Sequence, residues 1–297
     1  MTNSQSFPAQ HVLVVGGTGK TGRRVADRLT RLGHRVRIGS RSATPPFAWD
    51  DPAGWPAVVD GTDAAYLSYY PDVSFPGAAD AVTAFARVAA AAGVRRLVLL
   101  SGRGEPEAEP AEDGVRGSGV AWTVLRCAMF TQNFSEHFLL EPVLDGVIAL
   151  PAGSVTEPFL DVEDVADVAV AALTGDGHEG RTYELTGPQL LGFAEIAREL
   201  SAATGRDISY LPVSPAEYAA AAAAAGVPAD EIEPLTDLFG RIFDGHNSHL
   251  TTDVQEVLGR PAGSFADYAR RTAPTGVWQP HPRSDRRGPD VGHTRAG

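Results

Sequence analysis

The 297-residue sequence contains one lysine, Lys20, and one cysteine, Cys127. A single cysteine excludes an internal disulfide and is typical of a reducing compartment. The chain has no segment near the ~18 consecutive apolar residues of a membrane-spanning helix. It also has no N-terminal signal pattern of a charged region followed by an apolar one. We therefore expect a cytoplasmic protein without a membrane partner.

Basic runs are also missing from the part of the chain that we expect to fold. The formal net charge is −12 at pH 7, with 25 Lys and Arg against 37 Asp and Glu. Nucleic acid is bound through clustered basic side chains, so this balance argues against a nucleic-acid partner. Hydrophobic and charged contents of 43% and 21% are ordinary for a globular protein, which favours a small-molecule partner.

The chain does have a strand, a glycine-rich turn and a helix in immediate succession. Val12 to Val15 form an unbroken aliphatic run, and Val25, Leu29 and Leu32 share one face of the following helix. The residues predicted to bind a cofactor lie between them and are Gly16, Gly17, Thr18, Gly19, Lys20, Thr21 and Gly22.

This turn is predicted to hold the pyrophosphate of a dinucleotide. Gly17, Gly19 and Gly22 match a fingerprint in which glycines allow a tight turn and a close backbone approach. The free amides of the helix start and its positive end attract the phosphates. A nucleoside-triphosphate loop needs a glycine five residues before Gly19, where this chain has Val14. A purely structural glycine turn is the other alternative.

The end of the second predicted strand favours NADP(H). An acidic residue here binds the ribose 2′-hydroxyl of NAD, but the chain has Ser40 and Arg41 and no acid. A guanidinium beside serine hydroxyls suits a 2′-phosphate, because it forms charge-assisted hydrogen bonds. We predict Ser40 and Arg41 as cofactor ligands; the alternative for Arg41 is a solvated charge at a strand end.

Strands and helices alternate in a way typical of the α/β class, with a Rossmann-type doubly wound parallel sheet. The predicted strands are 12–15, 35–41, 46–50, 63–70, 96–100 and 122–126, followed later by 182–186 and 208–213. Ligands bind such sheets beyond the carboxyl ends of the strands. The loops that we expect around one crevice are 16–22, 39–42, 66–72, 101–104 and 127–134.

The predicted division into domains follows this alternation of strands and helices. Residues 10–135 are predicted to form the NADP-binding domain, to which 159–187 returns. A smaller, mixed C-terminal substrate or lid region is predicted to take up 136–158 and 188–278. Residues 279–297 have the composition of a disordered tail, and monomer or homodimer both stay open.

Further motifs, taken together with the glycine turn, resemble those of a known family. They are Ser101-Gly102, Ala121 to Arg126 followed by Phe130-x-x-Asn133-Phe134, Phe159-x-Asp161-x-x-Asp164, and Tyr183 to Pro188. With the glycine turn, they make the chain resemble the NmrA-like branch of the atypical short-chain dehydrogenases/reductases. It is particularly similar to the subgroup of ergot-alkaloid iminium reductases, the agroclavine and festuclavine dehydrogenases.

The resemblance implies an NADP(H)-binding Rossmann domain, a smaller C-terminal domain and a substrate between them. By position in the family's motifs, Phe130, Asn133 and Phe134 are implied as walls of the substrate pocket. The family's usual Arg-Pro is Arg126-Cys127 here. The resemblance does not fix the substrate, because bacterial members of this branch are mostly uncharacterised. Some relatives bind the cofactor and regulate transcription factors without catalysis.

The single lysine constrains the chemistry. Most short-chain reductases use a Tyr-x-x-x-Lys pair, in which the lysine lowers the pKa of a proton-donating tyrosine. No tyrosine of this chain has a lysine four residues on. We therefore predict a reductase whose hydride acceptor needs no built-in acid: an imine or iminium first, and a conjugated carbonyl or quinone second. The alternative is a non-catalytic NADP(H) sensor acting on a regulatory protein.

The candidate catalytic residues lie at predicted strand ends. They are Ser101, Tyr66 and Tyr69, for which capping or aromatic packing are the structural alternatives. His137 is predicted in the substrate pocket, where it is a possible acid because its ordinary pKa is near neutrality.

Other reactive side chains have plainer alternatives. Arg103 either binds an anionic substrate group or lies in solvent. Cys127 has no adjacent base in the sequence, which favours packing. His246 and His249 lack enough carboxylate support for a metal site, so no metal is predicted.

Overall fold

The computed structural model describes residues 9–280. Its strands are β1 (His11–Val15), β2 (Arg35–Gly39), β3 (Ala64–Leu67), β4 (Arg96–Gly102), β5 (Ala121–Cys127), β6 (Val147–Leu150), β7 (Thr156–Glu157), β8 (Arg181–Leu185), β9 (Leu191–Gly192) and β10 (Ser209–Pro212). Its helices are α1 (Lys20–Arg31), α2 (Trp55–Val59), α3 (Ala78–Ala91), α4 (Glu109–Arg116), α5 (Asn133–Glu136), α6 (Leu140–Asp145), α7 (Val162–Thr174), α8 (Phe193–Thr204), α9 (Pro215–Ala224), α10 (Ala229–Ile242), α11 (Asp253–Leu258) and α12 (Phe265–Thr272).

A parallel sheet of six strands forms the centre, in the order β2-β1-β3-β4-β5-β8. The chain runs outward from β1 to β2 and then returns to place β3 on the other side of β1. This reversal creates a crevice at the carboxyl ends of the strands, where such sheets bind ligands. The arrangement confirms the expected α/β class and its Rossmann-type, doubly wound sheet.

Both faces of the sheet are covered because its central strands are apolar on both sides. Val12 and Val14 of β1 pack towards α1 and α7, whereas Leu13 and Val15 pack towards α2, α3 and α4. The contact between α1 and α7 is reinforced at its edge by ion pairs. Arg28 reaches both Glu163 at 2.6 Å and Asp167 at 2.5 Å.

A third core, rich in aromatic side chains, lies in the C-terminal region. Here β6 pairs with β10 and β7 pairs with β9, while α8 and α12 pack together. The fully buried Phe134, Phe159 and Phe265 meet edge to face, with ring centroids 5.3–6.0 Å apart. The Trp278 indole nitrogen donates to the Phe134 carbonyl at 2.7 Å, which fastens the end of this region to the core.

The predicted strand at 46–50 is wrong. This segment is a turn and loop, in which Pro45 and Pro46 offer no backbone N–H donor for a sheet. Its apolar side chains are instead used in packing, since Phe47 lies 5.6 Å from the Phe85 ring and 5.1 Å from the Trp49 ring.

The short strands β6, β7 and β9 were not predicted, and residues 281–297 of the predicted tail lie outside the described residues. Within residues 9–280, no helix has the length and hydropathy to cross a membrane.

Candidate active site

A cavity of about 1170 Å³ opens at the carboxyl ends of the parallel strands. Gly16, Ser40, Ser68, Ser101 and Ala128 line it at or just beyond the carboxyl ends of β1 to β5. The C-terminal region closes the opposite side; its contribution includes Phe138, Phe239, Ile242, Phe243 and Asn247. A site for one small molecule usually occupies about 300–1,000 Å³, so this cavity has room for two ligands side by side.

Some glycines of the turn allow close packing, whereas other residues of the turn line the cavity. Gly16 has a positive φ of 72°, which favours glycine. A Cβ at Gly22 would overlap the Gly16 carbonyl oxygen, and one at Gly17 would lie 2.9 Å from Ile38 Cδ1. Gly17 and Gly22 therefore let the turn and helix pack closely, and neither lines the cavity.

The remaining residues of the turn face the cavity. Thr18, Gly19, Lys20 and Thr21 line it, and Gly19 is the N-cap of α1. No side chain caps this helix end, so its backbone amides remain available. Unpaired amides and the helix dipole together favour an anion such as a pyrophosphate.

Lys20 lies where the turn meets the substrate side of the cavity. Its ammonium Nζ donates to Asn133 Oδ1 at 2.7 Å and lies 5.9 Å from the centroid of the Phe130 ring. Burial lowers the pKa of Lys20 to about 8, with the Glu136 carboxylate opposing that shift. Its charge is thus kept at neutral pH but is lost within the mildly alkaline range.

Ser40 and Arg41 line the cavity at the other end of the turn, beyond β2. Ser40 Oγ lies 3.3 Å from Ser42 Oγ, and Arg41 is exposed at the rim. Ser40 and Arg41 thus line the cavity directly after β2, and their role as ligands of a ribose 2′-phosphate stays a prediction.

Three of the four predicted pocket residues line the cavity: Phe130, Asn133 and His137. Burial lowers the pKa of His137, and the positive charge of Lys20 lowers it further. His137 is therefore mainly neutral at pH 7. The prediction for Phe134 is corrected, because its ring is fully buried in the aromatic core and does not reach the cavity.

The three catalytic candidates have different surroundings. Tyr69 lines the cavity, with its ring 5.0 Å from that of Trp49. Ser101 also lines it, but its hydroxyl donates to Glu112 Oε1 at 2.7 Å. The assignment of Tyr66 is corrected: its side chain is fully buried between the sheet and α1, and burial raises the pKa of its hydroxyl.

The structure adds Arg103 to the cavity wall, buried rather than solvated. Arg103 Nε donates to Glu184 Oε2 at 3.2 Å, and Nη1 donates to the Asn247 carbonyl at 2.9 Å. Nη2 has no hydrogen-bond partner among the side chains that the structure describes. Its position directly after β4 was visible in the sequence, whereas its burial depends on the distant loop that carries Asn247.

Two carboxyl groups of the wall are also held in unusual surroundings. Burial raises the pKa of Glu157 to about 7, and Glu157 Oε1 has no hydrogen-bond partner. Burial and the neighbouring Asp72 raise the pKa of Glu105 to about 7. Glu157 comes from the two-residue strand β7, which has no recognisable sequence pattern.

The remaining reactive groups have structural surroundings. Burial raises the pKa of the Cys127 thiol, which keeps it protonated. His246 hydrogen-bonds to Asp244 and lies 3.1 Å from the Gly104 carbonyl oxygen. Across residues 9–280, no group of three or more His, Cys, Asp or Glu side chains is placed to hold a metal ion.

The chain matches no family model, but it is similar to characterised reductases along most of its length. It is 34% identical over 285 residues to the (4-alkanoyl-5-oxo-2,5-dihydrofuran-3-yl)methyl phosphate reductase of Streptomyces griseus, covering 88% of this chain and 98% of the relative. It is 30% identical over 284 residues to the NAD(P)H azoreductase of Xenophilus azovorans, with coverage of 88% and 98%.

An agroclavine dehydrogenase from Claviceps fusiformis is 30% identical over 275 residues, which are 86% of this chain and 95% of the relative. Among solved structures, the triphenylmethane reductase of a Citrobacter species, complexed with NADP(H), has a TM-score of 0.71. At 23% identity, it covers 88% of this chain and 99% of its own, and it supports the fold.

Proposed function

The chain belongs to the NmrA-like atypical short-chain dehydrogenase/reductase family, and from this premise we propose that it is an NADP(H)-dependent reductase of a small organic molecule. The observation that carries the proposal is one cavity lined by the glycine turn and Arg41 and also by the C-terminal region, whose side of the cavity we take as the substrate compartment. A cofactor and a substrate fit there side by side.

The residues present suit this cofactor. The open amides at the start of α1 and the ammonium of Lys20 would hold the pyrophosphate, and Arg41 with Ser40 would hold the 2′-phosphate. When bound, the cofactor supplies a hydride. Phe130 and Tyr69 form walls of the compartment that would receive the acceptor.

Two of the three catalytic candidates offer no free proton to the cavity, and the third, Tyr69, has no lysine four residues on, which favours an acceptor that can take hydride before a proton. Tyr66 is buried away from the cavity, and the Ser101 hydroxyl is bonded to Glu112. An iminium already carries positive charge, and a conjugated carbonyl or quinone spreads the negative charge that develops. We therefore propose these acceptor classes, of which the conjugated carbonyl is the kind of compound named in one relative.

The purified protein should oxidise NADPH in the presence of cyclic iminium salts, unsaturated lactones or quinones. The assay follows the loss of NADPH absorbance, and product analysis identifies the reduced bond. Absence of turnover across all three classes, despite measurable NADPH binding, contradicts the proposal. That result would favour the alternative of a non-catalytic sensor, for which the open compartment has no evident use.

The pH dependence of NADPH binding is expected to follow Lys20. Only the ammonium form pairs with phosphate, so the wild-type Kd should be constant below pH 8 and rise above it. Lys20→Met should raise the Kd about 10- to 100-fold, because a hydrogen bond to a charged group contributes about 1.5–3 kcal/mol. Fluorescence titrations across this range test both points. Lys20→Arg, which keeps its charge, should restore binding and flatten the profile; unchanged affinity of Lys20→Met rules out the contact.

The preference for NADPH over NADH is expected to depend on Arg41. Arg41→Ala should raise the Kd for NADPH about tenfold or more and leave that for NADH nearly unchanged, since only NADPH has the 2′-phosphate. Arg35→Ala is the matched control, because Arg35 is exposed at the opposite end of the same strand. An equal rise in Kd for NADPH and NADH would show that Arg41 does not bind the 2′-phosphate.

A further inference from the structure

We propose that Arg103 anchors an oxyanion of the substrate, a carboxylate or a phosphate monoester, at the end of the cavity opposite Arg41. This inference rests on the proposed function and narrows its substrate class. The hydride acceptor would be a conjugated compound that carries this charged group away from its reacting carbon.

The sheet order separates the two arginines. Arg41 follows β2 at one edge of the sheet, whereas Arg103 follows β4 and bonds to Glu184 of β8 at the other edge. A dinucleotide that reaches from Arg41 across the turn after β1 therefore has its phosphates on the far side from Arg103. The charge of Arg103 is left for a different ligand.

That charge is only partly compensated. The Arg103 side chain is 1% exposed, and a guanidinium stays protonated at all relevant pH values. Its carboxylate partner Glu184 is 39% exposed and is also 4.0 Å from Arg126. Among the side chains that the structure describes, none accepts from the N–H groups of Nη2, and a buried donor without a partner costs free energy. An oxyanion in the cavity would remove this cost.

Glu157 is a second residue of the cavity wall whose charge acts on the proposed oxyanion position at Arg103. It is buried and also lines the cavity, and it feels the charges of Arg103 and His246, which favour its ionised form, and of Asp244, which opposes it. It is not ion-paired with Arg103, and burial raises its pKa to about 7. In its protonated form Glu157 adds no negative charge beside Arg103, which then has only the Glu184 carboxylate as its partner, and Glu157 can itself donate to an oxyanion.

The test compares acceptors that differ only in charge. An unsaturated carbonyl compound is supplied as its carboxylate, as the methyl ester of that carboxylate, and as a phosphate monoester of similar length. For the wild-type protein with saturating NADPH, we expect at least one oxyanionic form to have a KM about 10- to 100-fold below that of the ester. The better of the two identifies the natural type of oxyanion.

Variants then assign the preference to one side chain. In Arg103→Met, the KM for the ester divided by the KM for the better oxyanionic acceptor should fall close to one. Arg103→Lys should restore part of this ratio. Arg35→Met, at the far end of β2, should keep the wild-type ratio. If Arg103→Met does not fold, the KM ratio of the wild-type protein and that of Arg103→Lys still test the proposal. An unchanged ratio in a folded Arg103→Met protein overturns the assignment.

Calorimetry separates this inference from the proposed function. A saturated, non-reducible carboxylate and its phosphate counterpart are titrated into the NADP⁺ complex. Binding that is lost in Arg103→Met supports the anchor even if no acceptor is turned over. Turnover with equal KM for ester and oxyanions, and no binding of either saturated analogue, overturns the anchor and leaves the reductase in place. Preference for a cationic acceptor overturns it as well.

Discussion

Gly22→Ala is expected to abolish useful NADPH binding, with a rise in Kd of about 100-fold or more. The new methyl group would overlap the Gly16 carbonyl oxygen and lie 2.7 Å from its carbonyl carbon. Relief requires a backbone shift of the turn that presents Gly19 and Lys20 to the phosphates. Overpacking of this kind costs about 1–3 kcal/mol or more, and here it displaces the binding amides themselves. Titration of NADPH fluorescence measures the loss.

Gly240→Ala is the matched control for this substitution. Gly240 lies within α10 with no atom near its missing Cβ, so alanine should leave cofactor binding unchanged. Thermal unfolding without cofactor shows whether Gly22→Ala is folded. A folded Gly22→Ala protein with wild-type affinity would contradict the proposed role of the close contact between turn and helix.

Phe134→Ala is expected to lower the free energy of unfolding by about 3–5 kcal/mol, as for other buried phenylalanines. The Phe134 ring lies 5.3 Å from that of Phe265 and 5.7 Å from that of Phe159, so its removal opens a hole in the aromatic core. Denaturant unfolding with linear extrapolation measures the change.

Phe138→Ala is the comparison, because it removes the same aromatic ring four residues further along the chain. Phe138 is 39% exposed and lines the cavity, so its truncation should cost less than about 1 kcal/mol of stability and act on substrate KM instead. If Phe134→Ala keeps full stability and only changes KM, the original prediction of Phe134 as pocket wall is right and the packing argument fails.

The contrast between these two phenylalanines shows what the sequence can and cannot predict. A motif locates the segment from Phe130 to Phe134 at the end of a strand, but it does not fix which rings face the cavity. That choice depends on α5 and on packing with Phe265, which is far away in the chain. The same limit applies to Tyr66, whose strand was predicted but whose burial depends on α1 and α7.

The fold was largely predictable because its signals are local. The apolar run of β1, the glycine turn and the periodicity of α1 lie within one short stretch, and the later strands repeat the pattern. The segment 46–50 was misread because its alternating aromatics resemble a strand, although they serve an aromatic cluster. Arg103 and Glu157 line one cavity only through the folding of the C-terminal region, and the sequence gives no sign of their unsatisfied atoms.

Lys20 also makes the protein unusual as a chemical target. It is the sole lysine of the chain, it lines the cofactor cavity, and its pKa is about 8. Apart from an α-amino group, amine-selective acylating reagents therefore have one site of attack, and near pH 8 half of it is in the nucleophilic form. The extent of acylation at Lys20 thus reports occupancy of the cavity directly, without a substrate and without a mutation.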